Sequence, residues 1–305
     1  MNKLAVLGSV NADHVLQIPT FPKPGETLTG HNYTVIPGGK GANQAVAAAR
    51  LGTPTSFIAA VGDDAFGINI RQDFAKDGIN TEAVNIIENC PTGIAMIQVS
   101  EDGENCICLS PEANNRLDPD LVKKSAHLIE KAEHLLMQLE TPLDGVRFAA
   151  NVAKSANTKV ILNPAPAKPL PDDLLSLVDI ITPNETEAEI LTGIKVTDEE
   201  SAQKAANQLH DKGIEMVLIT LGAKGVWLST DSEQHIVSGF KVHAVDTTAA
   251  GDTFNGAFVT GLLESKSLQE SIRFAHAAAA LSVTKHGAQT SIPTREEVDR
   301  FLSEH

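Results

Sequence analysis

Residues 245–258 combine a carboxylate, a turn of small residues and the start of an apolar helix. From Phe254 onward apolar side chains recur at helical spacing, so we predict a strand end, a turn and the first turn of a helix. The turn, residues 249–251, has almost no side chain, which leaves backbone N–H groups open to an anion. Asp252 follows it directly. Two interpretations stand: Asp252 takes a proton from a hydroxyl that attacks a phosphate held by the turn, or it simply caps the helix.

A glycine-rich segment precedes another predicted helix. Residues 37–41 contain three glycines around Lys40, and an alanine-rich run that includes Asn43 ends at Gly52, a typical helix C-cap. Glycine lets a ligand approach the backbone closely, and the polar Lys40 and Asn43 favour a ligand loop over a plain tight turn. The sequence contains neither Gly-x-x-x-x-Gly-Lys-Ser/Thr nor Gly-x-Gly-x-x-Gly.

Short apolar runs alternate with helical segments along most of the chain, which predicts an α/β fold with a doubly wound, mostly parallel sheet flanked by helices. Ligands of such sheets bind beyond the carboxyl ends of the strands. The predicted strands are 4–10, 57–62, 135–139, 160–163, 180–182 and 216–220, and one of the helices is predicted over 121–131. Polar residues follow several of the strands: Asn11, Asp13, Glu140, Asn163, Asn184 and Thr220.

Two insertions, at about 14–37 and 93–110, interrupt this alternation. The first contains strand-like pieces at 14–18 and 26–29, and the second is a predicted hairpin that turns at residues 101–103. We predict that the insertions form a small antiparallel β lid on a single domain spanning the whole chain. Such a lid closes over a site to exclude water, or offers its edges to a second subunit.

Composition limits the partners and the compartment. A net charge of −15 argues against a nucleic-acid or anionic-membrane surface. Three cysteines, a sparse and odd count, suit a reducing compartment. The N-terminal apolar run is too short for a signal peptide, and no other stretch is long enough to span a membrane. We therefore expect a cytoplasmic protein.

Three further sites have a possible function, and for two of them a structural interpretation is also open. Asn184 and Glu187 have the spacing of a capping box, but the same pair would also suit a phosphate or hydrated Mg²⁺. Gly222 and Gly225 lie in a loop where a nucleotide would fit. His276 lies in an alanine-rich predicted helix, where a lone histidine is more often a surface or core residue than a ligand.

Residues 38–45, Gly-Gly-Lys-Gly-Ala-Asn-Gln-Ala, and residues 246–254, Asp-Thr-Thr-Ala-Ala-Gly-Asp-Thr-Phe, resemble the two signatures of the ribokinase-like carbohydrate kinase family. The likeness extends over the whole chain, through residues 6–13, 163–167 and 182–189. The resemblance implies MgATP-dependent phosphorylation of the 5-hydroxyl of D-ribose to D-ribose 5-phosphate. It also implies an activating monovalent cation, here K⁺, and a homodimer built through the lid.

The resemblance implies a role for each matching position. Asp252 matches the catalytic base, and Ala249, Ala250 and Gly251 match the anion hole. The sugar contacts match Asn11, Asp13, Gly39, Lys40, Asn43 and Glu140, together with Asp252. The nucleotide side matches Asn184, Thr220, Gly222, Gly225, Gly251 and His276, with Glu187 in the Mg²⁺ environment. The monovalent-cation site, largely of backbone carbonyls, matches Asp246, Thr248, Ser282, Lys285, Gly287 and Ser291.

Three alternatives remain at this point. Another sugar or nucleoside kinase of the same family, such as a deoxyribokinase, fructokinase or adenosine kinase, shares the signatures, although Asn11 and Asp13 suit the vicinal hydroxyls of an intact ribose. A nucleotide-dependent dehydrogenase would carry Gly-x-Gly-x-x-Gly after its first strand, which this chain lacks. A non-catalytic sugar-sensing module would not need Asp252 beside a complete anion-hole turn.

Overall fold

A computed structural model describes residues 3–305 of the chain. The strands are β1 (Leu4–Leu7), β2 (Asn11–Ile18), β3 (His31–Gly38), β4 (Thr55–Gly62), β5 (Val84–Ile87), β6 (Gly93–Ser100), β7 (Asn105–Ser110), β8 (His134–Met137), β9 (Lys159–Leu162), β10 (Ile180–Ile181), β11 (Met216–Thr220), β12 (Val226–Ser229) and β13 (Gln234–Val237). The α-helices are α1 (Lys40–Arg50), α2 (Ala65–Lys76), α3 (Pro119–Lys124), α4 (Ala126–Glu130), α5 (Leu143–Ala156), α6 (Asp172–Leu175), α7 (Glu185–Thr192), α8 (Glu199–His210), α9 (Ala250–Leu263), α10 (Leu268–Ser282) and α11 (Arg295–Glu304). None of these helices is both long and apolar enough to cross a membrane.

The larger sheet confirms the predicted doubly wound arrangement. Its order is β13-β12-β11-β10-β9-β8-β1-β4-β5. β1 pairs in parallel with β8 on one side and β4 on the other, and its residues are fully buried, as its uninterrupted apolar sequence requires. β12 and β13 extend one edge as antiparallel strands.

Helices cover both faces of this sheet. Successive β1 side chains alternate between the two resulting apolar layers, because neighbouring side chains of a strand point to opposite faces: Leu4 packs in one layer and Ala5 in the other. The layer around Leu4 contains residues of α1, α2, α9, α10 and α11. The layer around Ala5 contains residues of α3 to α8.

Helices α1 and α9 approach each other at Gly256. A Cβ atom at that position would lie 2.6 Å from Ala47 Cβ and 2.7 Å from the Gln44 carbonyl oxygen. Glycine is therefore required for the two helices to pack at this distance. The close packing brings the first turn of α9, which contains Asp252, against the first turn of α1.

The lid is a four-stranded sheet of order β3-β2-β6-β7. Both hairpins, β2-β3 and β6-β7, are antiparallel as predicted, whereas the central strands β2 and β6 pair in parallel. Only three residues separate the end of β1 from Asn11, where β2 begins, so the lid extends directly from the middle of the main sheet. The buried Asn114 side chain bonds both the N–H and the carbonyl of Val10 at this crossing.

Two local predictions are wrong. Residues 26–29 form no strand, because β3 pairs with β2 from His31 onward and the proline-rich stretch before it is used as the connection. The predicted helix over 121–131 is divided into α3 and α4 at Ser125. The Ser125 N–H bonds the carbonyl of Val122, three residues earlier, which ends α3 with a tighter turn.

Candidate active site

Both oxygens of the Asp252 carboxylate are held by side chains of α1. Asn43 Nδ2 donates to Oδ2 and Gln44 Nε2 donates to Oδ1, each over 2.9 Å. The N-cap of α9 is Ala249, and no side chain bonds the free N–H groups of the helix. The interpretation of Asp252 as the N-cap is therefore wrong, since its carboxylate is buried against α1.

The turn before Asp252 carries open amides, but not quite the predicted set. Ala249 has a left-handed φ of 60° and leads the chain into α9, while the Ala250 N–H donates to the Thr247 carbonyl over 3.2 Å. Within residues 3–305, the N–H groups of Ala249, Gly251 and Asp252 donate to no other residue. A Cβ atom added at Gly251 would meet no other atom within 4 Å, so the space beside the turn is open. A helix N-terminus with three free amides beside open space suits an anion.

Asn11 and Asp13, at the start of β2, are both buried. Asn114 Nδ2 donates to Asn11 Oδ1 over 2.9 Å, which leaves the Asn11 amide hydrogens as donors. The Asp13 carboxylate accepts no hydrogen bond within the described chain. Burial, with the negative charges of Glu140 and Asp252, raises the pKa of Asp13 to about 7, although the positive charge of Lys40 opposes the shift.

Lys40 is the cation at the centre of the site. Burial opposes its charged form, but surrounding carboxylates outweigh that effect and raise the pKa of Lys40 above its usual value. Gly39, with a φ of 93°, starts α1 without a capping side chain, and Glu140 Oε2 accepts from the Lys40 backbone N–H over 3.1 Å instead. Ser9 Oγ also donates to Glu140. The carboxylates that act on Lys40 are those of Asp252, Glu140, Glu187 and Asp13.

A cavity of about 390 Å³ adjoins the start of α9. Its volume lies within the range of small-molecule and cofactor sites. Its walls come from the loop after β11, residues 239–244 and the facing sides of α9 and α10. Five of the residues predicted for the nucleotide line it: Thr220, Gly222, Gly225, Gly251 and His276.

His276 closes one wall of this cavity as a neutral ring. Burial lowers the pKa of His276 to about 4. Nε2 lies 3.2 Å from the Val237 carbonyl oxygen, so that nitrogen carries the hydrogen and Nδ1 is left as an acceptor. The buried, neutral state suits contact with an uncharged ligand group better than contact with a phosphate.

Asn184 and Glu187 form a complete capping box at the start of α7. Asn184 Oδ1 accepts from the Glu187 N–H, and Glu187 Oε2 accepts from the Asn184 N–H, both over 2.8 Å. Asn184 does not line the cavity. Burial raises the pKa of Glu187, while the positive charge of Lys40 acts in the opposite direction, so Glu187 belongs to the electrostatic environment of the site.

Asp246 ties the segment before α9 to the loop after α10. Its Oδ1 accepts from the Thr248 N–H and its Oδ2 from the Gly287 N–H, each over 2.9 Å. Burial opposes its charge, but these hydrogen bonds outweigh it and lower the pKa of Asp246. The predicted strand end at 245–246 is wrong: there the chain is held by two N–H bonds to the Val283 carbonyl.

Among the other predicted cation positions, Ser282 ends α10, and Lys285 and Ser291 lie in the loop after it; the side chains of these three have other partners. Ser282 and Ser291 donate to backbone carbonyls, and Lys285 pairs with Glu297 over 2.7 Å. Within residues 3–305 no group of three His, Cys, Asp or Glu residues could hold a metal ion. A cation at this place would thus depend on backbone carbonyls, as the resemblance implies.

The sequence interpretation placed Asn163 at a strand end but did not identify the network of buried amides around the base, and it gave Gln44, Gln138 and Asn255 no role. Gln44, Gln138, Asn163 and Asn255 are all buried and linked by hydrogen bonds. A detectable signal was the position of Gln44 and Asn255 within otherwise apolar helices, where an uncharged polar side chain needs a partner.

Comparison with known proteins shows which family and which solved structures this chain is similar to. The family model of the pfkB family carbohydrate kinases matches residues 1–295. A ribokinase of Haemophilus influenzae is 60% identical over 299 residues, 98% of each chain, and a deoxyribokinase of Salmonella typhi is 38% identical over 302 residues, also 98% of each. A solved structure of an Arabidopsis thaliana ribokinase complexed with ribose and ATP superposes with a TM-score of 0.93 at 37% identity, covering 99% of each chain.

Proposed function

The chain belongs to the pfkB family of carbohydrate kinases, and on that premise we propose that it transfers the γ-phosphoryl group of ATP to the 5-hydroxyl of D-ribose. The products are D-ribose 5-phosphate and ADP. The central observation is the position of the Asp252 carboxylate. It accepts hydrogen bonds from two side-chain amides of α1 and belongs to a turn with open N–H groups. Asn43, a predicted sugar contact, bonds this carboxylate, and Gly251, directly before Asp252, lines the cavity.

The geometry supports separate roles for the carboxylate, the open N–H groups and Lys40 in the reaction. Asp252 takes the proton of the attacking 5-hydroxyl, which makes that oxygen a better nucleophile. The free N–H groups of Ala249, Gly251 and Asp252 stabilise charge on the transferring phosphoryl group, and the half-buried Lys40 adds a positive charge. Little else is needed, because phosphoryl transfer depends mainly on positioning and charge stabilisation.

The proposed sugar contacts offer both hydrogen-bond donors and acceptors to sugar hydroxyl groups. Asn11 keeps its amide hydrogens as donors, and the unpaired Asp13 carboxylate is an acceptor. Asn43 Oδ1 is buried with no partner in the described chain, so it is a second acceptor beside the base. Asn11 and Asp13 suit two neighbouring hydroxyls, which favours ribose over the deoxyribose alternative. The higher identity to the ribokinase supports the same choice.

The cavity fits the nucleotide. It ends at Gly251, so a nucleotide lying in it would present its phosphates to the open amides. Glu187 Oε1 accepts no hydrogen bond within residues 3–305 and suits a hydrated Mg²⁺, which keeps several waters and takes few protein ligands. Mg²⁺ would neutralise charge on the phosphates. Asn184 supports this arrangement by fixing Glu187 through the capping box.

We also propose that K⁺ binds beside Asp246 and activates the enzyme. Both Asp246 oxygens already receive backbone hydrogen bonds, so the carboxylate would supply charge while carbonyls of the two joined loops supply most ligands. Asp246 lies six residues before Asp252. An ion here would fix the shape of the turn before α9 without touching the substrate.

The lid supports assembly into a homodimer. Its strands expose large apolar side chains, which is unusual for a small sheet in water. The exposed side chains are Tyr33, Val35, Met96, Ile107 and Leu109. Covering them with the lid of a second copy would give a twofold dimer. Cys106 and Cys108 are exposed and unpaired on β7, which supports a reducing, cytoplasmic location.

The direct test is ATP consumption measured with a panel of pentoses, hexoses and nucleosides, with the phosphorylated position identified by ³¹P and ¹³C NMR. The expected result is the highest kcat/KM with D-ribose and a product phosphorylated at the 5-hydroxyl. If kcat/KM is higher with 2-deoxyribose, fructose or adenosine, then that compound and not ribose is the preferred substrate. Sugar binding without ATP turnover would instead indicate a sugar-sensing module.

A further inference from the structure

A buried chain of side-chain amides reaches the Asp252 carboxylate from the middle of the main sheet. Gln138 Nε2 donates to Gln44 Oε1 over 2.6 Å, and Gln44 Nε2 donates to Asp252 Oδ1 over 2.9 Å. Gln44 is completely buried and Gln138 nearly so. Leaving such amides in an apolar interior is costly unless their hydrogen bonds are made, so the chain is a specific arrangement.

The partners fix which way the Gln44 amide points. An ionised carboxylate only accepts hydrogen bonds, so the Gln44 NH₂ group must face Asp252. The Gln44 carbonyl then faces Gln138, which meets it with a donor. A flipped Gln44 would place oxygen against oxygen at Asp252 and NH₂ against NH₂ at Gln138. Gln138 therefore holds Gln44 in the one orientation that serves the carboxylate.

A second arm of the chain leads from Gln44 to the turn before Asp252. Gln44 Nε2 also donates to Asn163 Oδ1 over 3.0 Å, and Asn163 Nδ2 donates to the Thr182 carbonyl over 3.1 Å. Thr182 Oγ1 donates to Asn255 Oδ1 over 2.6 Å. Asn255 Nδ2 then donates to the Gly251 carbonyl over 2.8 Å. Gln44, Asn163 and Asn255 each use the oxygen toward one neighbour and the NH₂ toward the next, whereas Gln138 Oε1, at the start of the chain, has no partner within residues 3–305.

We propose that Gln44 is a positioning residue: it fixes the Asp252 carboxylate and links it, through the second arm, to the peptide that carries the open amides. Gln44 acts on the reaction only through its hydrogen bond to the Asp252 carboxylate. This role rests on the proposed function, since it requires Asp252 to be the base. The network would fix the distance and orientation between the proton acceptor and the anion-binding turn. Catalysis by positioning requires such a fixed geometry.

The test replaces Gln44 by methionine, which has a similar length and no amide. A carboxylate that loses a donor prefers its protonated form, so the acid limb of kcat against pH should move upward by about one pH unit. Loss of alignment should lower the pH-independent kcat by about tenfold. The KM for ribose should change by less than about twofold, because Gln44 is buried behind the site.

Thr260→Val is the matched control. Thr260 lies on α9 like Asp252, is buried, and bonds Thr53 Oγ1 over 2.8 Å outside the network. This variant should lose stability yet keep the wild-type pH profile. In an Asp252→Asn background, Gln44→Met should change the residual rate by less than about twofold, because a residue that acts through Asp252 has nothing left to position.

The outcomes separate the positioning role from the proposed function. If Asp252→Asn abolishes activity while Gln44→Met keeps the wild-type kcat and pH profile, the positioning role is overturned and the base assignment stands. If Asp252→Asn keeps most of kcat, the base assignment itself fails. Should Gln44→Met not fold, Gln138→Met, which removes only the donor to Gln44, should move the acid limb in the same direction by less. An unchanged limb in that folded variant would also overturn the role.

Discussion

Asn43 Nδ2 lies 2.9 Å from Asp252 Oδ2 and joins the first turn of α1 to the first turn of α9. The two residues are 209 positions apart in the chain, one in each of the two signature segments. The contact places the proposed base beside Asn43, one of the proposed sugar contacts, and the amide oxygen of Asn43 is unpaired. In the proposed mechanism, substrate binding and proton removal therefore depend on the same helix–helix contact.

Gly256→Val should weaken this contact. A side chain at Gly256 meets Ala47 and the α1 backbone within 3.0 Å, so the helices must move apart. We expect a loss of about 1–3 kcal/mol in the free energy of unfolding, measured with urea, and a lower kcat. Gly251→Ala, at a position with open space on the same helix, is the stability control and should unfold as the wild type does. Equal stability of the two variants would contradict the close packing.

Asp13 should make the stability of the free enzyme depend on pH. Its pKa is raised to about 7 from 3.8, so the folded state binds this proton more tightly than the unfolded state. The stabilisation is complete below pH 3.8 and is lost as the pH rises to about 7. Asp13→Asn should therefore gain stability relative to the wild type over this window and keep a constant advantage above it. Thermal melts between pH 5 and 8 measure the difference; parallel curves would contradict the raised pKa.

Ribose binding should show the opposite dependence on pH. If the Asp13 carboxylate accepts hydrogen bonds from sugar hydroxyls, binding favours the ionised form and tightens as the pH rises through about 7. Calorimetric titration of ribose at pH 6 and pH 8 should give a lower Kd at pH 8 for the wild type. For Asp13→Asn we expect weaker binding with equal Kd values at the two pH values. A pH-independent Kd in the wild type would remove Asp13 from the sugar site.

Potassium should activate the enzyme through Asp246. Rates measured in potassium, sodium and choline salts at equal ionic strength should be highest in potassium, with little effect of sodium. Asp246→Ala should remove the activation, because the variant loses the charge and the link between the loops at Thr248 and Gly287. Equal wild-type rates in potassium and choline would rule out the site.

The lid should mediate a dimer. Met96 and Ile107 are 55% and 51% exposed, and replacing either with glutamate would place a charge in the proposed interface. Sedimentation velocity at micromolar concentration should show a dimer for the wild type and a monomer for both variants. Ile190→Glu changes an exposed apolar residue of α7 outside the lid and should remain dimeric. A monomeric wild type would contradict the assembly.

The sequence was sufficient to predict the main sheet, but it did not predict the side-chain contacts between distant segments. Uninterrupted apolar runs such as residues 4–7 predict buried parallel strands because periodicity is a local property. The choice between cap and base at Asp252 is not local, since it depends on Asn43 and Gln44 in a distant helix. The same limit explains why residues 26–29 were predicted as a strand: their composition permits it, but β2 pairs with later residues.

The most direct test of the central claim is the Asp252→Asn variant, compared with the wild type in kcat, ribose affinity and unfolding. The change is nearly isosteric and removes the proton acceptor, and the Asn43 amide, whose Oδ1 has no partner, can turn over to accept from the new NH₂ group. The proposed sugar contacts Asn11, Asp13 and Lys40 are unchanged. Loss of a general base typically lowers the rate by about 10²–10⁴. We predict a folded protein of near wild-type stability and ribose Kd, with kcat lower by about two orders of magnitude or more. A folded variant that keeps most of its kcat would contradict the assignment of Asp252 as the base.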